Sequence, residues 1–330
     1  MVIVAVFMLA LLGMAALVID YGNVALQRRA LQNSVDAAAL AGASSLAGGW
    51  SSAQPAAQNV YLMNGYQSDQ VTYQQTTDLQ PGDSVTVSST RTVDTFIATL
   101  FGISTAKVSA SATATIQSFT QVTGGTSVMP WGVLQGSYTP GANYPIYTKD
   151  TANANNGAIS LPYHLGQNCP DPNGANAYSN EISGDLTTCP ISVGETVDTK
   201  PGNNSGPTSQ GLDDRIGSWD TINQIVQFNA DGTATLLEPN SPQLVLIPIL
   251  VNQVGQSAWP NGTSAPMTVV GFAWFVITSC GDPGHPTYCA NSDGKEVNGV
   301  FVNLDSDPEV GTSGGYNPGS NTAYTVSLTQ

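Results

Sequence analysis

The sequence predicts an α+β protein: a long N-terminal hydrophobic α-helix, a small α/β subdomain, then a larger β-rich domain with long disulfide-stapled loops. Three observations carry this. Met1 to Ile19 holds no charged residue and no Pro, and Ala, Leu, Val and Met dominate it, a composition that favours helix at close to the ~20 apolar residues a bilayer span needs. Strand-length runs of Val, Thr and Ile recur from Val71 onward, punctuated by Pro, Gly, Asn and Asp. Four cysteines, Cys169, Cys189, Cys280 and Cys289, fall in turn-rich stretches. The expected boundaries are 1–49 for the helix, 50–120 for the subdomain and 121–330 for the β-rich domain.

The helical pattern does not stop at Asp20. Ala25, Leu26, Leu31, Val35, Ala38, Ala39 and Ala43 recur mostly at three- and four-residue steps, with Arg28, Arg29, Gln32, Asn33 and Asp36 between them. One helix is expected from about Val2 to Leu46, apolar all round in its first half and amphipathic in its second. At ~1.5 Å per residue it is on the order of 65 Å long, longer than a compact domain can house. Its first half therefore has to lie in lipid or among copies of itself. Small residues, including Gly13, Gly22 and Gly42, stud it and would allow helix backbones to approach closely. Asp20 follows the apolar run directly. Either a cation answers its charge, with an Arg of a neighbouring copy better placed than Arg28 of the same helix, or it marks the edge of water.

Gly48, Gly49 and Ser51 to Pro55 read as a break, and Ala56 to Tyr66 as a short helix. Val71 to Gln75 and Ser84 to Thr92 read as strands joined through Gln80-Pro81-Gly82-Asp83. Thr95 to Phe101 is a brief helix stopped by Gly102. Lys107 to Ser118 places Val108, Ala110, Ala112, Ala114 and Ile116 on one face of a half-buried strand.

Beyond Gln121 the chain loosens, and Gly136 to Thr208 reads as turn after turn. Leu212 to Trp219 reads as a short helix. The domain's core is expected from Leu244 to Val251, with Pro248 requiring an edge or a bulge, and from Val269 to Thr278; Val297 to Val302 and Tyr324 to Leu328 complete an antiparallel sheet. The even cysteine count favours disulfides and an oxidising compartment, with Cys169–Cys189 and Cys280–Cys289 the expected pairs. Other pairings stay open, and a zinc site is the competing reading, without the CxxC spacing it would want.

Composition bounds the partners. Eight Lys and Arg stand against 23 Asp and Glu, giving a net charge of −15, so nucleic acid is an unsuited partner. Only 9% of residues are charged, which suits an extracellular, turn-rich β protein. Catalytic signatures are wanting. His164 and His285 read as surface-loop residues, and Gly311-Thr312-Ser313-Gly314-Gly315 fits GxSxG without the strand-to-helix setting a nucleophile elbow needs, so it reads as a flexible loop. The expectation is a non-enzyme without cofactors. Asp305, Asp307 and Glu309 are the best calcium candidates, against a plain solvated turn. Asn203 and Asn261 begin glycosylation triplets. Trp131, Trp219 and Trp259 could form an adhesive face or simply fill the core.

The series Val18-Ile19-Asp20-Tyr21-Gly22-Asn23, Gln27-Arg28-Arg29-Ala30-Leu31-Gln32-Asn33 and Asp36-Ala37-Ala38-Ala39-Leu40-Ala41-Gly42-Ala43 resembles the N-terminal signature of the Tad (tight adherence) pilus-assembly family, TadE/TadG-like. Thr95-Phe96-Ile97, Phe101-Gly102-Ile103 and Val108 to Ala112 are similar to it too. The resemblance implies a pilin-like subdomain after the helix and a structural subunit of a type IV-like filament. Such a subunit sits in the inner membrane before assembly, then packs helix to helix as a homo-oligomer and displays its acidic domain, with adhesion as the expected use. The alternative is a single-pass surface protein with a ligand-binding β domain. One departure is Ala5, where ordinary pilins carry Glu. Arg28 and Arg29 beyond the apolar run would by themselves hold that side in the cytoplasm, whereas disulfides favour the outside. Both fit a mature product cut from a precursor with a short basic leader.

Overall fold

The computed structural model describes residues 2–67, 70–78, 81–122, 128–136, 138–148, 156–161, 174–184, 190–229, 233–252, 259–260, 264–281, 296–304, 311–315 and 324–329. The side chains of residues 2, 5–6, 8–17, 100–101, 311–315 and 324–325 lie outside that set. The chain forms two compact units, 1–116 with 326–330, and 117–325.

The first unit holds α1 (Val2–Ser44), α2 (Trp50–Met63), β1 (Val71–Thr76), β2 (Ser84–Asp94) and most of β3 (Thr105–Val122). Helix and subdomain share one compact unit, with residues 49 and 50 inside it. The reason lies in the amphipathic half of α1. Leu31, Val35, Ala38, Ala39 and Ala43 are fully buried, together with Ala53 and Ala57 of α2 and Val85 and Val87 of β2. A Cβ on Gly42 would stand 2.9 Å from Val85 Cγ1 and 3.1 Å from Ala57 Cβ, so this glycine serves close packing within the unit. The break before α2 is shorter than expected. Only the 3₁₀ turn Ser45–Gly48 and Gly49, at φ 82°, interrupt the helices, and Pro55 lies inside α2. Its missing N–H forfeits one helical bond; burial of Ala53, Ala57 and Tyr61 carries the helix through.

β1, β2 and β3 form an antiparallel meander, with Ser84↔Thr115 through Asp94↔Thr105 in unbroken register. The alternation of β3 places Val108, Ala110, Ala112, Ala114 and Ile116 inside, as the sequence predicts. The other face is a hydroxyl ladder: Ser84–Thr115, Thr86–Thr113, Ser88–Ser111 and Thr90–Ser109 pair across the strands at 2.7–3.1 Å. Such cross-strand pairs contribute roughly 0.2–1 kcal/mol each.

The second unit holds β4 (Trp131–Leu134), β5 (Asn143–Thr148), β6 (Asn156–Ser160), α3 (Ala175–Ser183), β7 (Ile191–Ser192), β8 (Thr196–Thr199), α4 (Ser205–Arg215), α5 (Ile222–Ile225), β9 (Val226–Phe228), β10 (Ala234–Leu236), β11 (Leu244–Asn252), β12 (Pro266–Cys280), β13 (Glu296–Val302) and β14 (Gly311–Gly315). The stretch read as turns up to Thr208 thus contains strands and helices. They are short, and what orders them is pairing with distant strands, such as β5 on β13 and β8 on β12. The helix expected at Leu212 begins earlier, at Ser205.

β11 and β12 are the centre of this unit. They pair antiparallel along their length, and the strand order β11-β4-β6-β8-β12-β13-β5 returns on itself through that pair. Their unbroken apolar runs follow from burial on both faces. One face carries Leu246, Leu250, Phe272, Trp274 and Val276; the other carries Val245, Ile247, Phe275 and Ile277 against Tyr178 and Ile182 of α3 and Leu212 of α4. The sheet is mixed, not antiparallel as expected, because β4 lies parallel to β11. Pro248 itself pairs in register with Phe272; the register shift comes beyond it, between Ile249 and Leu250, where β12 carries the extra residue Val270.

Two sequence readings of the chain's end are corrected. Gly311–Gly315 is no loop but β14, paired with Gln117–Val122 of β3. The last strand, β15 (Tyr324–Thr329), pairs with β3 and not with the β11–β12 sheet. β3 spans 18 residues with β2 on one edge only, so its other edge accepts both late strands.

Candidate assembly helix and its anchor

α1 changes character along its length. From Leu31 to Ala43 it is core. Before Asp20 it has no cover from its own unit at any residue whose side chain is described: Ile3, Val4, Phe7, Val18 and Ile19 are 55–79% exposed. Among the described residues no helix is long and apolar enough to cross a membrane; most side chains of the Met1–Ile19 stretch, Gly13's position included, lie outside that set.

Asp20 stands at the junction of the two halves. It is 8% exposed, so it does not mark open water. No cation meets it. Its Oδ1 accepts the backbone N–H of Phe96 at 2.7 Å, its Oδ2 that of Ala98 at 2.6 Å, and the Ile97 N–H reaches both oxygens. The donors open the 3₁₀ turn Ala98–Phe101, which closes on Gly102 at φ 83°. Unsatisfied N–H groups at a helix start form a natural site for an anion. These bonds, that of Ala98 foremost, hold the Asp20 carboxyl below its ordinary range in spite of burial. The family-like segments around Asp20 and Phe96, 76 residues apart, therefore meet.

Polar groups continue this seam. Asn23 donates to the Asp94 carbonyl at 3.3 Å, the Arg91 guanidinium reaches Gln27 at 3.5 Å, and Gln32 donates both to the Ser111 carbonyl at 3.0 Å and to Asp36 at 2.7 Å. Asp36 thus serves within the helix. Arg28 and Arg29 point outward and exposed, and among the described residues neither forms an ion pair. Gly22 faces open space, with nothing within 4 Å of a Cβ built on it. Of the small residues, Gly42 serves the fold and Gly22 is left free for a neighbour.

In the second unit the three tryptophans read as face or core are core residues. Trp131 is fully buried and Trp259 is 5% exposed, while Trp219 packs on the core. Trp131 Nε1 donates to Tyr178 OH at 2.7 Å, and Tyr178 OH meets Thr208 Oγ1 at 3.3 Å. Glu181 of α3 lies buried nearby; its desolvation pushes its carboxyl up to about 8, with the Lys200 charge opposing. Sequence reading missed this group, since one Glu in a Ser- and Asn-rich helix carries no signal. Asn203 is exposed and its Oδ1 accepts the Ser205 N–H at 3.1 Å, at the start of α4. Cys280 ends β12, buried and disulfide-bonded. Its partner, with Cys169, Cys189, Cys289, Asn261, Asp305, Asp307 and Glu309, lies outside the described residues.

α1 is thus core at one end and, where its side chains are described, exposed and apolar at the other, with a pinned carboxylate at the change. Residues 1–45 match the Tad family model, Flp pilus-assembly TadE/G-like. The match ends with α1, whose last residue is Ser44, and makes this segment similar to pilus-assembly proteins. No curated protein and no solved structure matches the chain.

Proposed function

We propose that this chain is a pilin-like structural subunit of an extracellular filament of the Tad or type IV kind. The first half of α1 sits in the inner membrane before assembly and packs with sister helices afterwards, making the chain a homo-oligomer. Both surroundings are apolar, so the helix keeps its conformation in the exchange. The acidic β-rich unit is displayed outward, where it serves adhesion, and its loops are stapled by Cys169–Cys189 and Cys280–Cys289. The role is structural and not catalytic.

The observation that carries this reading is the division of α1. An apolar half-helix whose described side chains lack intramolecular cover needs another apolar partner, and the core half fixes it to a folded unit. Imaging of sheared extracellular material, with mass identification of the filament protein, is the test. Recovery of this chain in ordered fibres supports the reading. Recovery only from membranes, as a monomer, would establish instead a single-pass surface protein.

A further inference from the structure

The apolar surface does not end with the helix. Val18, Ile19 and Tyr21 are 68%, 55% and 74% exposed. At about 100° per residue they point out on three sides of α1. The fourth side belongs to Asp20 and is covered by the turn it holds. That turn itself exposes Phe96 at 66% and Ile103 at 58%. The two are held together, because Ile103 N–H bonds to the Ala98 carbonyl and the Thr95 hydroxyl to the Ile103 carbonyl. An apolar ring thus closes around α1 at the level where the folded unit begins.

We infer that the Phe96–Ile103 turn is a membrane-interface element, seated with Tyr21 in the boundary layer of the bilayer that holds the first half of α1. This rests on the membrane-inserted reading of that half. The occupant follows from geometry. A second copy of the chain would cover one stripe of the ring and leave the others in water, whereas lipid covers all sides at once. The aromatic side chains suit this level: the Tyr21 ring meets acyl chains while its hydroxyl meets water, and Phe96 suits the headgroup/acyl boundary. Asp20, the first charged residue of the chain, is turned inward onto backbone N–H groups, so the ring presents no charge to the acyl region. Arg28 and Arg29 follow ~12 Å further along the helix, within reach of lipid phosphates by bending back along it.

The test uses the full chain reconstituted into vesicles of phosphatidylcholine and phosphatidylglycerol, with lipids brominated just below the headgroup as quenchers. Phe96→Trp and, as a control, Gln54→Trp at the exposed start of α2 are each read as the difference from the unsubstituted chain. If the chain floats with the vesicles, Trp at 96 loses most of its emission and Trp at 54 keeps it. A floating chain with an unquenched Trp at 96 overturns the inference and leaves the membrane reading standing. A chain that does not float with the vesicles overturns both.

Discussion

Asp20 and Glu181 are both almost closed to solvent, in different units, and the protein treats them in opposite ways. Asp20 is met by three aimed N–H groups and is held as an anion. Glu181 is buried, with Lys200 as the opposing charge, and is pushed up to about 8. Lys200 is itself engaged over the Tyr178 ring, 5.5 Å from its centroid. Burial alone therefore does not decide whether a carboxylate keeps its charge; donors already in place do.

The largest effect expected from this contrast is on pH-dependent stability. Glu181 binds its proton more tightly in the folded chain than in the unfolded one. Its contribution is whole below its ordinary value of 4.5 and drains as pH rises toward about 8. Urea unfolding should report about 3 kcal/mol lost between pH 4.5 and 7, at 1.36 kcal/mol per unit. Glu181→Gln should flatten that slope; an unchanged slope would refute the assignment. Next in size, Lys200→Met should move the Glu181 titration, followed by carboxyl NMR, to still higher pH. A downward shift would mean that another cation governs it.

For Asp20 the sign reverses. The stability it gives is present above the ordinary carboxylate range and is lost as pH falls through its lowered value. Asp20→Asn at neutral pH should speed hydrogen exchange at Phe96, Ile97 and Ala98, and acidification of the unsubstituted chain should do the same. Amides that stay protected in Asp20→Asn would show that the carboxylate is dispensable to the turn. The smallest effect on folding belongs to Gly22, half a turn beyond Asp20 on the outer side of α1. Gly22→Leu meets nothing in its own unit, so thermal unfolding should be unchanged while filament yield falls. Unaltered fibres would remove Gly22 from any helix-to-helix contact.

Much of α1 was legible because its signal is local. An apolar run and a three- and four-residue step name the helix and its buried stripe without any partner. Alternation in β3 and the stop at Gly102 are of the same kind. The start of α2 was misread because Pro55 and Ser51-Ser52 look like a break, and packing on α1 overrode them. The strands between Gly136 and Thr208 were missed because each is only a few residues long and owes its order to a distant strand. Trp131 could be read as face or core, and only enclosure by α3 and β11 decided it.

The sequence by itself determined the leading helix, its division into an apolar and an amphipathic half, the two central strands of the second unit, and the Tad-like segment. Each is written in neighbouring residues, where backbone geometry makes the period audible. Tertiary structure alone decided that Asp20 is answered by the turn at Phe96, that β15 returns to β3, and that Glu181 is buried. Those outcomes depend on residues far apart in the chain coming together, and no local pattern records which distant donor, edge or ring a side chain will meet.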